Sequence, residues 1–106
     1  MKASYVLVGM KHQGSEALVA SLKIGHPLLL VREPDNRYDR NAVQVWLDAG
    51  AEMKLLGYVK GTQAAGLARK LDAPTWHQCS RNTGRPCIMG VLKVSGDRWP
   101  MIEVEE

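Results

Sequence analysis

The segment Arg32–Val43 constrains the fold of this chain more than any other, because two strand-like runs enclose it. An apolar run, Leu28–Val31, leads into it, and an alternating run, Val43–Leu47, follows it. Between them lies a polar connection with one aromatic residue and charges of both signs. Two strands hold such a connection in place, so that it can present side chains to a ligand. The sequence therefore predicts two strands with a functional loop between them.

Six short segments are rich in β-forming residues and are separated by turn-forming ones. Strands at this spacing predict a mainly β (α+β) fold, in which about six strands form a small, partly closed barrel with one or two helices. The predicted strands are Ser4–Met10, Leu28–Glu33, Ala42–Asp48, Met53–Lys60, Cys87–Val94 and Trp99–Val104.

The best helical pattern lies in Gly61–Asp72, whose apolar residues form one stripe along a helix before Pro74 prevents continuation. A second segment, Glu16–Lys23, predicts a short helix or a turn. The residues before it, Lys11–Ser15, predict a polar connection. Inside the fourth predicted strand, Gly57 indicates a bulge or a tight barrel corner.

The charge of the chain allows two interpretations. The formal net charge is +3, but Glu103–Glu106 holds three of the 11 acidic residues, so the 14 Lys and Arg residues dominate the remainder. A mildly basic body with an acidic C-terminal tail favours polyanionic partners. The alternative is that the charge only keeps the protein soluble. At 106 residues the length predicts one domain, residues 1–106.

The two cysteines, Cys79 and Cys87, do not form a Cys-x-x-Cys pair. The start of the chain lacks the pattern of a secretory signal, and no apolar run approaches the thickness of a bilayer. These features predict a cytoplasmic protein without membrane contact, in a reducing compartment where both thiols are free.

Motifs for chemistry are weak. Gly61–Gly66 starts like a phosphate-binding loop, but Leu67 and Ala68 follow where Lys and Ser or Thr are required. Zinc ligands could come from His77, Cys79 and Cys87, although their spacing matches no common zinc site. The sequence therefore predicts no cofactor, no metal and no catalytic residues.

A carboxylate pair in the loop has a simple structural explanation. Asp35 and Asp39 are close enough in sequence for an acid–base pair or for metal ligands. However, Arg32, Arg37 and Arg40 surround them, so salt bridges within the loop are expected instead.

The loop closely resembles the HIRAN domain, whose members typically have Arg-Glu-Pro-x-Asn-x-Tyr-Asp-x-Asn-Ala-Val where this chain has Arg32–Val43. Val8–His12 is similar to the opening strand of the family and its basic-aromatic end. Leu56–Lys60 is similar to the family's Val-Gly-Tyr-Leu-Pro strand, and Ala64–Leu71 to the helix after it. The resemblance covers roughly Tyr5–Asp72 and, more weakly, the last two predicted strands.

This resemblance implies an OB-like β-barrel and a non-catalytic nucleic-acid-binding module. It further implies binding of single-stranded DNA at free 3′-hydroxyl ends, in DNA repair or replication-fork processing. Members of the family are often fused to helicases or nucleases, so a partner of that kind is also implied.

The resemblance also assigns roles to single residues. Tyr38 matches a tyrosine that stacks on a terminal base, and stacking tolerates any base. Asp39 matches an acidic residue; its carboxylate can accept a hydrogen bond from a 3′-hydroxyl and would repel a 3′-phosphate. Lys11 falls where the family places a phosphate-binding cation, and His12 where a second aromatic stacks. Gln13 replaces a further aromatic of the family.

The remaining positions surround these. Tyr58 and Lys60 fall at the edge of the groove, and Gly61 occupies a position where the family has another lysine. Asn36 is expected either to bind a base or phosphate or to hold the turn through its side chain. Asn41 is expected to brace the loop.

Two alternatives to DNA capture follow from other features. The acidic tail Glu103–Glu106 favours a protein-interaction adaptor that recruits a helicase or nuclease, and a hydrolytic enzyme is a further alternative. Among the tryptophans, Trp46, Trp76 and Trp99 are expected first in the core, with one exposed stacking platform as the alternative.

Overall fold

The computed structural model describes residues 2–50, 52–73, 85–94 and 99–105. Within these residues the chain forms six strands and three helices. The strands are β1 (Lys2–Val8), β2 (Pro27–Arg32), β3 (Val43–Ala49), β4 (Glu52–Val59), β5 (Cys87–Val94) and β6 (Met101–Glu105). The helices are α1 (Met10–Gln13), α2 (Glu16–Ser21) and α3 (Gly61–Asp72).

The strands close into an antiparallel barrel in the order β1-β4-β3-β2-β5-β6, and β6 returns to β1. The prediction of a small α+β barrel of about six strands is therefore confirmed, and the barrel is closed rather than partly closed. The predicted connection Lys11–Ser15 is partly helical: α1 lies between Gly9 and Gly14, both at positive φ. Glycine adopts this left-handed backbone without steric cost, so the chain can leave β1 and turn at once into a helix.

Alternation along β2 builds two apolar layers, as expected of a central strand. Leu28 and Leu30 face the barrel interior, where the main core lies. Leu29 and Val31 face outward and form a second buried cluster with Cys87, against which Trp46 packs. Helix α3 covers the main core through its predicted stripe. The buried residues of that stripe are Ala64, Leu67, Ala68 and Leu71.

The acidic tail is mostly not a tail. Glu103 and Glu105 belong to β6, which pairs with β1 and β5 and so closes the barrel. The carboxylate of Glu103 forms ion pairs with Lys2 at 3.5 Å and with Lys93 at 3.2 Å. The hydrogen bond from Lys93 is the main reason why the pKa of Glu103 lies below its usual value. These glutamates therefore contribute strand pairing and local ion pairs, while Glu106 lies outside the described residues.

The expectation of free thiols is wrong for Cys87, which is disulfide-bonded. The other two suggested zinc ligands, His77 and Cys79, lie outside the described residues. Among the residues that the structure describes, no group of three or more His, Cys, Asp or Glu side chains could hold a metal ion. The helices in that part of the chain are too short or too polar to cross a membrane.

Gly57 sits at the bulge that the sequence predicted. The pairing of β3 with β4 shifts by one residue there, because Val45 faces Gly57 whereas the next residue, Trp46, faces Leu55. A Cβ atom on Gly57 would lie 2.2 Å from the carbonyl oxygen of Val8 in β1. Beside this point the buried hydroxyl of Ser15 donates a hydrogen bond to the carbonyl of Leu56. Close backbone approach and the Ser15 bond thus join β1, β4 and the segment that follows α1.

Gly57→Ala should destabilise the fold by about 2 kcal/mol or more, because the new methyl group forces β1 and β4 apart. Urea unfolding measures this directly. Gly66→Ala is the matched control, since a Cβ atom there has no neighbour within 4 Å. Within α3 that change should stabilise the protein by roughly 0.5–1 kcal/mol. Equal stability of the two variants would contradict the close approach.

Candidate nucleic-acid interface

An open groove of about 850 Å³ runs between the loop after β2 and the adjoining ends of β1 and β4. Its walls come from three parts of the chain that are distant in sequence. The segment after β1 contributes Gly9, His12 and Gln13, the loop contributes Glu33 to Asp39 apart from Pro34, and the β4–α3 junction contributes Tyr58, Val59 and Gly61. Val8 and Ala42 complete the lining.

The loop is held by hydrogen bonds of its own. The side-chain oxygen of Asn36 accepts the backbone N–H groups of Tyr38 and Asp39, each at 2.9 Å. Asp39 repeats the pattern, because its Oδ1 accepts the N–H of Asn41 at 2.8 Å. Of the two roles considered for Asn36, the structure shows the turn-holding one, in which a side chain replaces a backbone acceptor.

Tyr38 projects from this loop into solvent, with 89% of its surface exposed. The guanidinium of Arg37 lies 5.6 Å from the centroid of its ring. Asp39, the next residue, is partly buried, and both residues line the groove. Tyr38 therefore presents a large aromatic ring at the groove, on a loop that is held by its own hydrogen bonds.

Glu33, at the end of β2, is the site residue that sequence analysis missed. Its Oε1 accepts hydrogen bonds from the Nδ2 of Asn36 at 2.6 Å and from the hydroxyl of Tyr58 at 3.0 Å. Its Oε2 accepts one from the Nε2 of Gln44. Gln44 in turn accepts a bond from the indole of Trp46 at 3.0 Å. One carboxylate therefore joins the loop to β3 and β4.

Arg32 braces the loop from behind. It is buried, its guanidinium pairs with Asp72 of α3 at 3.1 Å, and its Nη1 donates to the carbonyls of Arg40 and Ala42. The prediction that Arg32 forms a salt bridge within the loop is therefore wrong, because its partner Asp72 lies in α3. Asp35 instead forms an ion pair at 3.1 Å with Arg85, which lies two residues before β5.

The two predicted phosphate-binding lysines, Lys11 and Lys60, are exposed next to lining residues but do not line the groove themselves. His12, the predicted second stacking ring, is exposed on α1 and does line the groove. The ammonium of Lys60 lies 6.0 Å from the centroid of the Trp99 ring. Trp99 is 68% exposed, so its core interpretation is wrong.

Strand β1 brings that pair together. The N–H of Lys60 donates to the carbonyl of Val6, and the carbonyl of Pro100 accepts the N–H of Leu7, both at 2.9 Å. Trp46 is partly buried against the outer cluster. Trp76 lies outside the described residues.

The charges of the site are separated. Among the described residues that line the groove, the carboxylates are Glu33, Asp35 and Asp39, and the one arginine is Arg37. Two of the described lysines, Lys11 and Lys60, lie at the margin, since they neighbour lining residues in the chain. An anionic group would therefore be attracted to the margin and repelled from the interior.

Tyr58 should remain a neutral hydrogen-bond donor beyond pH 10.0, its ordinary pKa. Burial is the main cause that raises the pKa of Tyr58, and the hydrogen bond to Glu33 and its negative charge add to the effect. Because the folded-state pKa is raised, the neutral phenol stabilises the fold below pH 10.0, and this contribution is lost as pH rises through the folded pKa. A ¹³C NMR titration of the tyrosine Cζ atoms, assigned with Tyr58→Phe, measures it. A Tyr58 midpoint at or below the ordinary value would contradict the hydrogen-bonded arrangement.

Two crystal structures share this fold. The HIRAN domain of human HLTF superposes with a TM-score of 0.66 at 21% identity, covering 99% of this chain and 77% of that chain. A protein from Lactobacillus plantarum superposes with a TM-score of 0.64 at 23% identity, covering 99% of this chain and all of that one. At these identities the likeness establishes a small OB-like fold. No curated protein matches the sequence.

The sequence itself supplies the family. The model of the HIRAN domain matches residues 2–86, which include the groove, the loop and α3. The chain therefore belongs to the HIRAN domain family, a family of nucleic-acid-binding and generally non-catalytic domains.

Proposed function

We propose that this domain captures the free 3′-hydroxyl end of single-stranded DNA, without a reaction of its own, in DNA repair or replication-fork processing. The observation that carries the proposal is the placement of Tyr38 and Asp39. An almost fully exposed aromatic ring stands directly beside a partly buried carboxylate at one groove, and Asn36 fixes the backbone of both.

Tyr38 supplies a stacking surface for the terminal base. A base that stacks on an aromatic side chain gains about 1–3 kcal/mol, whatever its identity. Arg32 and Asn36 already hold the loop in place, so binding has little entropy cost from ordering the loop. His12, on the segment from β1 that forms another wall, offers a second flat ring for the same nucleotide or its neighbour.

Asp39 is the residue that would distinguish a 3′-hydroxyl end from a 3′-phosphate end. Its Oδ1 accepts the N–H of Asn41, and a carboxylate has further acceptor capacity for a ligand hydroxyl. A 3′-phosphate at the same place would bring like charges together. The carboxylate therefore favours a hydroxyl end over a phosphorylated one.

The phosphates of the preceding nucleotides would contact the margin of the groove. Lys11 and Lys60 are exposed there, and Tyr58 lines the wall next to Lys60. Phosphate contacts of this kind release counterions, so binding should weaken as salt concentration rises. Trp99, beside Lys60, extends this path as a further stacking platform.

Binding of short 5′-labelled single strands, measured by fluorescence anisotropy, tests the proposal. We expect the 3′-hydroxyl strand to bind more tightly than the same strand with a 3′-phosphate. Tyr38→Ala should weaken binding of the hydroxyl end by about ten-fold, because the stacking surface is lost. Asp39→Asn should reduce the preference for the hydroxyl end, because a charge is removed while the side-chain shape is kept.

Tyr38→Phe is the control for the first variant, since it retains the ring and should retain most of the affinity. Equal affinity of the native protein for the two ends would rule out the Asp39 mechanism and leave DNA binding without end selection. Absence of binding even at low salt would rule out DNA binding by this groove.

Trp99→Ala should weaken binding of a six-nucleotide strand by about five-fold or more, because stacking beside Lys60 is lost. Quenching of tryptophan fluorescence by the same strand reports the contact in the native protein. Ile24→Ala is the matched control, because Ile24 is equally exposed at 68% and does not line the groove. Equal losses in the two variants would show that Trp99 lies off the path.

Members of this family are often fused to helicases or nucleases, enzymes that act on the strand whose end such a domain would hold. We therefore propose a helicase or nuclease as the protein partner. We propose the cytoplasm as the location. The disulfide of Cys87 does not favour a reducing compartment and is the observation that weighs against this location. The adaptor alternative loses its main support, because Glu103 and Glu105 are part of β6.

A further inference from the structure

We propose that Glu33 is a second specificity-determining residue of the groove: its fixed negative charge, together with that of Asp39, excludes a terminal phosphate. This inference rests on the proposed function, because it explains how the same site distinguishes two kinds of end. Glu33 lies in the wall of the groove and would favour a 3′-hydroxyl over a 3′-phosphate without contacting the hydroxyl itself.

The position of the Glu33 carboxylate is determined by three donors from three elements. Asn36 of the loop and Tyr58 of β4 donate to Oε1 at 2.6 and 3.0 Å, and Gln44 of β3 donates to Oε2. A carboxylate held by several donors cannot rotate away from an approaching anion without losing these bonds. Its charge therefore acts from one place on the groove wall.

The partners of Glu33 supply hydrogen bonds but no positive charge. Asn36, Gln44 and Tyr58 are all uncharged, and burial together with Glu33 keeps the phenol of Tyr58 protonated by raising its pKa. Asp35 lines the same groove under opposite conditions, because Arg85 pairs with it at 3.1 Å. Arg85 also lines a neighbouring pocket with Glu33, but among the described residues it forms its ion pair with Asp35, and Glu33 receives hydrogen bonds from uncharged groups.

The other charged and titratable groups of the described lining are one carboxylate, one arginine, one histidine and the phenol of Tyr38. Asp39 adds a second negative charge, Arg37 lies over the exposed ring of Tyr38, and His12 lies on the wall from α1. A terminal sugar that carries a hydroxyl adds no charge to this arrangement. A terminal phosphate adds about 1.5 to 2 negative charges beside these carboxylates, and like charges near a protein surface repel more strongly than in bulk water.

Glu33→Gln tests the inference, because the amide keeps one accepting oxygen for Asn36 and Tyr58 but removes the charge. We expect the ratio of Kd values for 3′-phosphate and 3′-hydroxyl strands to move about ten-fold toward one. Glu52→Gln is the matched control: it removes the charge of an exposed carboxylate in β4 that does not line the groove, and it should leave the ratio unchanged.

Asp39→Asn provides a second variant, in case Glu33→Gln does not fold. Because Glu33 remains, this variant should keep part of the preference for the hydroxyl end. Complete loss of the preference in Asp39→Asn would assign the discrimination to Asp39 alone and overturn the inference.

Other outcomes separate this inference from the function on which it rests. A native protein that binds neither strand, or binds both equally, would refute the proposed end capture. Discrimination that is intact in Glu33→Gln, or a loss of affinity for both ends by the same factor, would overturn the role of Glu33 and leave end capture in place. Hydrogen exchange of the Tyr38 and Asp39 amides gives a readout without DNA, and protection unchanged from the native protein would support an effect of charge rather than of loop disorder.

Discussion

The hydrogen bonds of one carboxylate hold the binding surface together. Glu33 receives a donor from the loop, from β3 and from β4, and through Asn36 it reaches the backbone of Tyr38 and Asp39. A loop of this length would otherwise sample many conformations, and each ordered residue costs roughly 1–2 kcal/mol of backbone entropy. Because that cost is met in folding, the ring of Tyr38 can be exposed and yet fixed.

The end of β2 divides two tasks between adjacent residues. Side chains alternate along a strand, so Arg32 and Glu33 leave the chain in different directions. Arg32 reaches Asp72 on α3 and the carbonyls at the far end of the loop, whereas Glu33 reaches the groove. Arg32 is buried, and Glu33 is partly buried. The loop is thus supported from the side of α3 and from the side of the barrel at once.

Local patterns predicted most of the elements, because strand alternation, the stripe of α3 and the glycine at the bulge are properties of neighbouring residues. The last strand was predicted, but its extension to Glu105 and its pairing with β1 were not, since an acidic C-terminal run resembles a solvated tail until Lys2 and Lys93 are placed beside it. Glu33 was missed for a similar reason. Its partners Gln44 and Tyr58 lie 11 and 25 residues away, so only the fold brings them together.

The distribution of charge distinguishes capture of an end from binding along a strand. A surface that follows the backbone of a polynucleotide needs cations along its length, because every nucleotide carries a phosphate. The described lining of this groove instead has three carboxylates, Glu33, Asp35 and Asp39, against one arginine, Arg37, and Lys11 and Lys60 lie outside it. Only the last nucleotide of a strand has a sugar without a phosphate on its 3′ side, so an acidic interior with a basic margin suits that nucleotide better than an internal one. The acidic lining, which would argue against ordinary DNA binding, therefore becomes an argument for recognition of a hydroxyl end.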